Sequence, residues 1–436
     1  MTAFFEKYFK LKENSTSVRQ EAIAGFTTFM TMAYILIVNP LMLTQDGATG
    51  MDFGKVFTAT ALSAVVGTLV MAFLAKLPFA LAPGMGLNAF FVFTVIIKMG
   101  QSYQFALTAV FLEGLIFLLL SFFNVREAII KSIPINIKKA VSVGIGLFIA
   151  FIGLSNAGIV VNGATPLELG KLSAPAALLT LIGLLVTGIL LCYKVKGALF
   201  ISIIISTIIG IPMGLTQLPE LSKIVSLPSI PYFFDFEWHN VLTGQMAVIV
   251  LTFLFVDIFD TVGTLVGVSA KAKMLDENGN VPRAKQALLA DAIATTFGAI
   301  TGTSTVTTYV ESAAGVAEGG RTGLTSVFTA LLFAVALFLS PLFIMIPAAA
   351  TAPALIIVGL FMMEPVKEIN LTDFTEGIPA FLTMIMMPLT YSISEGIIFG
   401  IVSYVLLKLA ALRWKEIPLI TFILGIAFIV YQAFLK

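Results

Sequence analysis

Long apolar stretches separated by short polar turns follow one another along almost the whole chain. An α-helix needs about 20 apolar residues to cross a bilayer core of about 30 Å. The pattern therefore predicts fourteen membrane segments and one further apolar stretch at 417–434. The segments are predicted at 25–43, 55–76, 84–98, 103–123, 139–160, 174–192, 197–217, 245–268, 285–301, 310–318, 323–346, 349–363, 376–391 and 394–412.

Two of these segments, 84–98 and 310–318, are too short to cross alone, and each follows an extended stretch. Residues 303–309 are rich in β-branched and hydroxyl side chains, which favours a strand. A half-length helix should follow and end at Gly319 and Gly320. Broken elements of this kind line substrate sites in membranes. Glu311 lies in the first turn of the half-helix and is a functional candidate because it is ionisable.

The two broken elements occupy the third place in each group of seven segments, which predicts two inverted repeats. Because seven is odd, the second group enters the bilayer from the opposite face. We predict a first repeat at 1–217, a proline-containing linker at 218–244, a second repeat at 245–413 and an apolar tail at 414–436. The fold class is thus all-α and polytopic, with short strands before the half-helices of segments 3 and 10.

Basic residues indicate the orientation. With a cytoplasmic N-terminus, twenty Lys and Arg residues fall on the inner side of the predicted layout and four on the outer side. This asymmetry predicts a multi-pass protein of the cell (plasma or inner) membrane with its N-terminus in the cytoplasm.

Composition narrows the function. Of 436 residues, 58% are hydrophobic and 11% are charged, so the lipid bilayer is the expected environment. A net charge of +1 gives no reason to expect nucleic acid as a partner. The single cysteine, Cys192, and the single histidine, His239, do not suit a cysteine or histidine metal cluster. We therefore expect no metal, no cofactor and no enzyme activity.

Five carboxylates fall inside predicted segments: Glu113, Asp257, Asp260, Asp291 and Glu311. A charge at a helix centre costs about 2.5–3.5 kcal/mol on insertion scales, so each needs a partner or a function. Asp257 and Asp260 share one helix face, where one of them should hold a proton or a hydrogen-bond partner. We expect substrate binding or proton coupling at Glu311 and Asp260; the pattern does not rank Asp257 against Asp260. Glu113 is expected to be structural, and Asp291 is expected to be a structural or a coupling residue.

An ionised carboxylate only accepts hydrogen bonds, which indicates a small, neutral, N–H-rich ligand and disfavours an anion. Asn88, at the start of the other half-helix, is predicted to bind the ligand or to pair with Glu311. Phe90 and Tyr309 could stack on a flat ring, although core packing is the common role of phenylalanine in this chain.

Several stretches resemble the nucleobase:cation symporters related to the xanthine and uracil permeases, in particular the AzgA-like purine branch. They are GFTTFMTMAY at 25–34, PGMGLNA at 83–89, DTVGT at 260–264, TST at 303–305 and ESAAG at 311–315. The resemblance extends over essentially the whole chain.

The resemblance implies a core domain of segments 1–4 and 8–11 and a gate domain of segments 5–7 and 12–14, with elevator-type alternating access. It implies that Asp260 and Glu311 hold the base and that backbone groups near Gly86, Ala89, Thr308 and Tyr309 complete the pocket. The expected activity is import of purine nucleobases, with hypoxanthine and guanine ahead of adenine. H⁺ is the expected coupling ion, Na⁺ is the alternative, and a homodimer is compatible with this family.

Three rival functions remain at this point. One is a passive channel, which would differ from a symporter because its uptake would not depend steeply on the proton gradient. An anion transporter of the same fold would require a half-helix end without a carboxylate, and Glu311 argues against it. A membrane-embedded enzyme would have to use Asp257 and Asp260, which lie on one helix turn and are poorly placed to flank a scissile bond.

Overall fold

The computed structural model describes residues 2–123, 134–163, 165, 167–216, 225–271, 274–275 and 281–434. Its first half contains the helices α1 Thr2–Phe9, α2 Val18–Met32, α3 Ile35–Thr44, α4 Phe53–Val70, α5 Met85–Ala89, α6 Tyr103–Phe123, α7 Ile135–Asn156, α8 Pro175–Cys192 and α9 Ala198–Gly210. Its second half contains α10 Gly244–Lys271, α11 Ala284–Thr301, α12 Ser312–Ala317, α13 Gly323–Ala336, α14 Ser340–Ile344, α15 Ala348–Met362, α16 Phe374–Thr390, α17 Ile393–Ala410 and α18 Leu419–Phe434.

Shorter elements complete these helices. The strands are β1 Leu81–Pro83, β2 Val160–Val161, β3 Glu168–Leu169 and β4 Val306–Thr308. Helices α4 and α5 continue as π-helical turns over Met71–Ala75 and Phe90–Lys98. Turns of 3₁₀-helix lie at Gln45–Gly47, Leu337–Leu339, Glu364–Glu368 and Trp414–Glu416.

The apolar helices make this a multi-pass membrane protein. Within the described residues, eight helices are long and apolar enough to cross a bilayer, and five apolar helices are shorter. The total of fourteen segments and their inverted repetition stay predictions.

The two broken elements meet each other. β1 pairs with β4 in an antiparallel sheet in which Leu81 faces Thr308 and Pro83 faces Val306. Each strand leads into a short helix, α5 or α12, as the sequence predicts for segments 3 and 10. The Gly84 N–H donates to the Thr305 carbonyl at 2.9 Å, which extends the pairing beyond the strands. The sheet thus joins two parts of the chain more than 200 residues apart.

The first segment differs from its prediction. A continuous span at 25–43 was expected, but α2 already begins at Val18 and ends at Met32 before α3 restarts at Ile35. Ser17 accounts for the early start because its hydroxyl caps the helix by accepting from the Gln20 N–H at 3.2 Å. The interruption leaves Tyr34 between the two helices.

Three other differences are local. The hairpin β2–β3 in the loop after α7 was not predicted. α9 ends at Gly210, earlier than the predicted 217, and a 3₁₀ turn interrupts the predicted segment 323–346. Cys192, the last residue of the predicted segment 174–192, is exposed at the end of α8. Residues 218–224 of the linker, with Arg126, Lys131, Lys223 and Lys273 of the charge pattern, lie outside the described residues.

The helices pack in two groups. Helices α2, α3, α4, α6, α10, α11, α12 and α13 pack mainly on one another, and so do α7, α8, α9, α15, α16, α17 and α18. Small residues allow close approach inside and between the groups. A Cβ on Gly86 would lie 2.6 Å from the Ile145 side chain of α7, so α5 and α7 touch at this glycine. The core and gate domains predicted for these helices stay a proposal.

The apolar tail forms α18, which packs on α17 and is held there by an ion cluster. Lys408 is buried between Glu376 at 2.9 Å and Glu416 at 2.7 Å. Arg413 contacts Asp373 and Glu416, each at 2.7 Å. The cluster joins α16, α17 and the turn that leads into α18.

Gly315→Ala should destabilise the fold. A Cβ at this position would overlap the Thr28 hydroxyl and lie 2.5 Å from the Ala24 carbonyl, so α12 would have to move away from α2. Overpacking of this kind costs about 1–3 kcal/mol. The measurement is the thermal unfolding midpoint in detergent. Gly188→Ala is the matched control because nothing lies near its Cβ, and it should leave the midpoint unchanged or raise it. Equal midpoints for the two variants would contradict this packing.

Arg413→Gln should cost stability in a pH-dependent way. Hydrogen bonds from Arg413, with smaller contributions from Thr375 and Lys408, lower the pKa values of Asp373 and Glu416 to about 2. Unpaired carboxyl groups have pKa values of about 4. The stabilisation is therefore present above about pH 4 and is lost as the pH falls towards 2.

The unfolding midpoint of Arg413→Gln should thus lie below that of the unmodified chain at pH 7, and the gap should narrow as the pH falls to 3. Arg19→Gln, at an exposed position, is the control. A gap that is constant with pH would exclude these carboxylates as the cause.

Candidate functional site

Polar side chains from five helices hold the hydroxyl-rich segment that leads into α12. A strand inside a bilayer requires internal partners for its polar groups because no water is available there. Asn39 donates to Thr303 at 3.0 Å, and the Ser304 hydroxyl donates to Asn88. Three threonine hydroxyls further along donate to carboxylates: Thr305 to Glu113 at 3.2 Å, Thr307 to Asp260 at 3.3 Å and Thr308 to Asp291 at 2.8 Å.

Glu311 is half-buried at the N-cap position of α12. Its Oε1 accepts a hydrogen bond of 2.7 Å from the Tyr34 hydroxyl, and its backbone carbonyl accepts one of 3.4 Å from Thr31. Its side chain makes no capping bond to its own helix. The Glu311 carboxylate therefore does not cap its own helix.

Asp260 and Asp257 lie three residues apart on α10, as the sequence predicts, but their surroundings differ. Asp257 is fully buried and accepts a hydrogen bond of 3.1 Å from Thr261. Asp260 is half-buried, and its Oδ2 accepts the bond from Thr307 on β4. Asp260 thus contacts the broken element directly, through Thr307.

Glu311 and Asp260 share one property. Each uses one oxygen for a hydroxyl donor, and its other oxygen accepts no hydrogen bond from another of the described residues. The two carboxyl groups are close enough for their charges to interact. Together they can present two acceptor atoms to a ligand that carries N–H groups.

Asn88 is not the partner of Glu311, which is one of the two roles predicted for it. Asn88 is fully buried, its carbonyl oxygen accepts from Ser304, and its amide contacts the Met85 sulfur at 3.7 Å. These contacts hold α5 against the segment before β4. Glu311 pairs instead with Tyr34.

Phe90 is fully buried and packs edge-to-face on Phe253 with the ring centroids 4.8 Å apart. Ala89 is also fully buried, and Gly86 is pressed against Ile145. The Tyr309 hydroxyl donates to the Pro83 carbonyl, and its N–H donates to the Ala80 carbonyl at 3.0 Å. These residues surround the pairing of β1 with β4, and their role in binding stays a prediction.

Glu113 and Asp291 are both fully buried, and each accepts a hydroxyl from the segment 303–309. Removing either carboxylate would leave a threonine of this segment without its acceptor. The roles expected for Glu113 and Asp291 stay predictions.

Tyr34 contacts the candidate site, although the sequence pattern does not predict it there. Tyr34 has only 1% of its surface exposed, and the break between α2 and α3 directs its hydroxyl to Glu311. A signal was available, because Tyr34 ends the hydroxyl-rich stretch 25–34 in an otherwise apolar segment.

Residues 19–399 match the family described as "Permease family", that of the xanthine and uracil permeases. The chain belongs to this family. The guanine/hypoxanthine permease PbuG of Bacillus subtilis is 45% identical and covers 98% of this chain and 99% of its own length. The adenine permease AdeP of Escherichia coli K12 is 42% identical, and the alignment covers 99% of this chain and 96% of AdeP. As a permease, the protein is a transporter and not an enzyme.

The fold of the permease is similar to that of a solved anion transporter. The transmembrane domain of the cyanobacterial bicarbonate transporter BicA superposes with a TM-score of 0.64, covering 85% of this chain and 96% of that domain. The two are 14% identical, so the likeness concerns the fold alone.

Tyr34→Phe should weaken the permease's affinity for its permeant. The change removes one donor from Glu311 and keeps the ring, and a hydrogen bond to a charged group contributes about 1.5–3 kcal/mol. The concentration for half-maximal uptake should therefore rise about tenfold or more. Tyr103→Phe is the matched control, because it breaks an equally short bond of 2.7 Å to Asp235, in the loop before α10. Unchanged affinity in Tyr34→Phe would show that Glu311 needs no such support.

Proposed function

We propose that this permease imports purine nucleobases by proton symport, with hypoxanthine and guanine preferred over adenine. The observation that carries the proposal is the pair of carboxylate oxygens, one on Glu311 and one on Asp260, that are free of other described residues. Neutral ligands with N–H groups on two edges match two acceptor atoms.

The relatives support the same class of substrate. PbuG is named for guanine and hypoxanthine and AdeP for adenine, and both align along nearly their whole length. Their identities, 45% and 42%, are too similar to choose between the two kinds of purine.

Hydrogen-bond chemistry favours the oxopurines. Hypoxanthine and guanine carry a hydrogen on N1, whereas the N1 of adenine is an acceptor. A carboxylate can accept from the first kind of edge and is repelled by a lone pair on the second. Adenine can still donate a hydrogen bond from its amino group, so we expect it to bind more weakly than hypoxanthine and guanine but not to be excluded.

Asp260 is our candidate for proton coupling. It lies three residues from the buried Asp257 on α10 and contacts β4, the strand that leads towards Glu311. Two neighbouring carboxyl groups in a low-dielectric site favour binding of a proton to one of them. In the elevator scheme that we adopt, the helices around β1 and β4 move with the base against the second group of helices.

An anion transporter is the main alternative, since BicA shares the fold. Bicarbonate would face Glu311 and Asp260, and two carboxylates repel an anion unless both are protonated. We therefore rank anion transport below purine import as the function of this permease.

Uptake tests the proposal. Cells without their own purine permeases that express the protein should accumulate labelled hypoxanthine, and an uncoupler should abolish the accumulation. Unlabelled guanine should compete strongly, adenine weakly and uracil not at all. If adenine competes more strongly than guanine, the proposed mechanism stands and adenine is the preferred substrate. Failure to accumulate any purine would contradict the proposal.

Glu311→Gln should abolish most of the uptake and leave folding intact. The amide is close to the carboxylate in shape but presents an N–H₂ group where the base would donate. Loss of a hydrogen-bonded charge in a buried contact costs about 2–5 kcal/mol, so uptake should fall about thirtyfold or more. Glu13→Gln, at an exposed ion pair with Lys10, is the control. Full uptake by Glu311→Gln would exclude Glu311 as a ligand of the base.

A further inference from the structure

The short helix α12 has a carboxylate at each end. Glu311 is its N-cap residue and Glu318 its C-cap residue, and only Ser312–Ala317 lies between them. A helix of this length spans about 9 Å and is too short to bend, so a displacement of one end moves the other. Whatever holds Glu318 therefore also contributes to the position of Glu311.

Glu318 is held from two directions. Its carboxylate forms an ion pair with Lys196, which lies in the turn between α8 and α9. Its backbone carbonyl accepts a hydrogen bond from the side-chain amide of Gln20 on α2. Glu21, the neighbouring carboxylate on α2, is already occupied by the N–H groups of Arg321, Thr322 and Thr325 and does not compete for Lys196.

The ion pair joins the two groups of helices. α12 packs on α2 in the first group, whereas α8 and α9 pack on α15 in the second. The turn that carries Lys196 is also pressed against α2. Gly197 has a φ of +71°, and a Cβ there would lie 2.9 Å from the Met30 carbonyl. The turn thus approaches α2 closely and sets Lys196 beside Glu318.

We propose that Lys196 is a positioning residue that fixes α12, and through it Glu311, relative to the second group of helices. The proposal rests on the proposed function, because it assigns the ion pair to one stage of the transport cycle. When the two groups move against each other, the Lys196–Glu318 pair must break, and it re-forms when they return.

The exposure of the pair suits this task. The side chain of Lys196 is 53% exposed and that of Glu318 is 29% exposed. Ion pairs that water reaches contribute little stability, so this one can open and close during a cycle without trapping the protein. A fully buried pair would hold the two groups together far more strongly.

Charge reversal tests the proposal. Lys196→Glu and Glu318→Lys should each place like charges together and lower the maximal rate of hypoxanthine uptake severalfold, and the double reversal should restore it. Lys194→Glu is the matched control, because it reverses a charge in the same exposed turn. Loss in each single variant without recovery in the double variant would overturn the proposal, as would full activity of Lys196→Glu.

Hydrogen exchange of residues 312–320 supplies a readout that needs no substrate. Lys196→Glu should speed exchange in this segment, and the double reversal should restore the slower rate. If the unmodified chain takes up no purine while exchange follows this pattern, the proposed substrate is wrong and the positioning role stands. Equal exchange in all variants would overturn the positioning role.

A cross-link tests whether the pair must open. Cysteines at positions 196 and 318, in a chain with Cys192→Ser, can be joined by a short bis-maleimide. Either single cysteine removes the ion pair and should lower uptake, and treatment with the same reagent should lower it no further, whereas joining the two cysteines should stop uptake. Unimpaired uptake by the cross-linked protein would overturn the proposal.

Discussion

An extended strand inside a bilayer is the constraint on which this structure depends. Neither lipid nor water supplies hydrogen bonds there, so β4 must find every partner within the protein. Its backbone pairs with β1, and its hydroxyls contact side chains on α10 and α11. The hydroxyls of the three residues before it, 303–305, contact side chains on α3, α5 and α6. Buried carboxylates that would be costly alone are stabilised by these hydroxyls, and the hydroxyls by them.

The same arrangement produces the site. Glu113 and Asp291 use their contacts to hold the segment 303–309. Asp260 and Glu311 are half-buried, and each has one oxygen that accepts no hydrogen bond from another of the described residues. Tyr34 orients Glu311 from the break between α2 and α3. The break between α2 and α3 and the two strands all interrupt helices, and these interruptions meet at one place in the helix bundle. The proposed binding function and the structural cost are therefore assigned to the same few residues.

Much of this follows from the sequence. The helices are visible as apolar runs, and the two broken elements as short runs preceded by strand-forming residues, because bilayer thickness dictates helix length. The sequence does not predict that Tyr34 pairs with Glu311, nor that Asp257 and Asp260 have different hydrogen-bond partners. Helix spacing gives the face on which a side chain lies and not its tertiary partner. The break at Tyr34 escaped prediction because no proline or glycine marks it.

Equilibrium binding to the purified protein tests the central claim most directly, with hypoxanthine compared with its N1-methyl and N9-methyl derivatives and with bicarbonate. The two carboxylate oxygens that no other described residue occupies predict one saturable site for hypoxanthine. Each derivative should bind at least about tenfold more weakly, because it has lost a donor for a charged acceptor. The same two oxygens predict no binding of bicarbonate. Equal binding of the methylated bases, or binding of bicarbonate alone, would contradict the account.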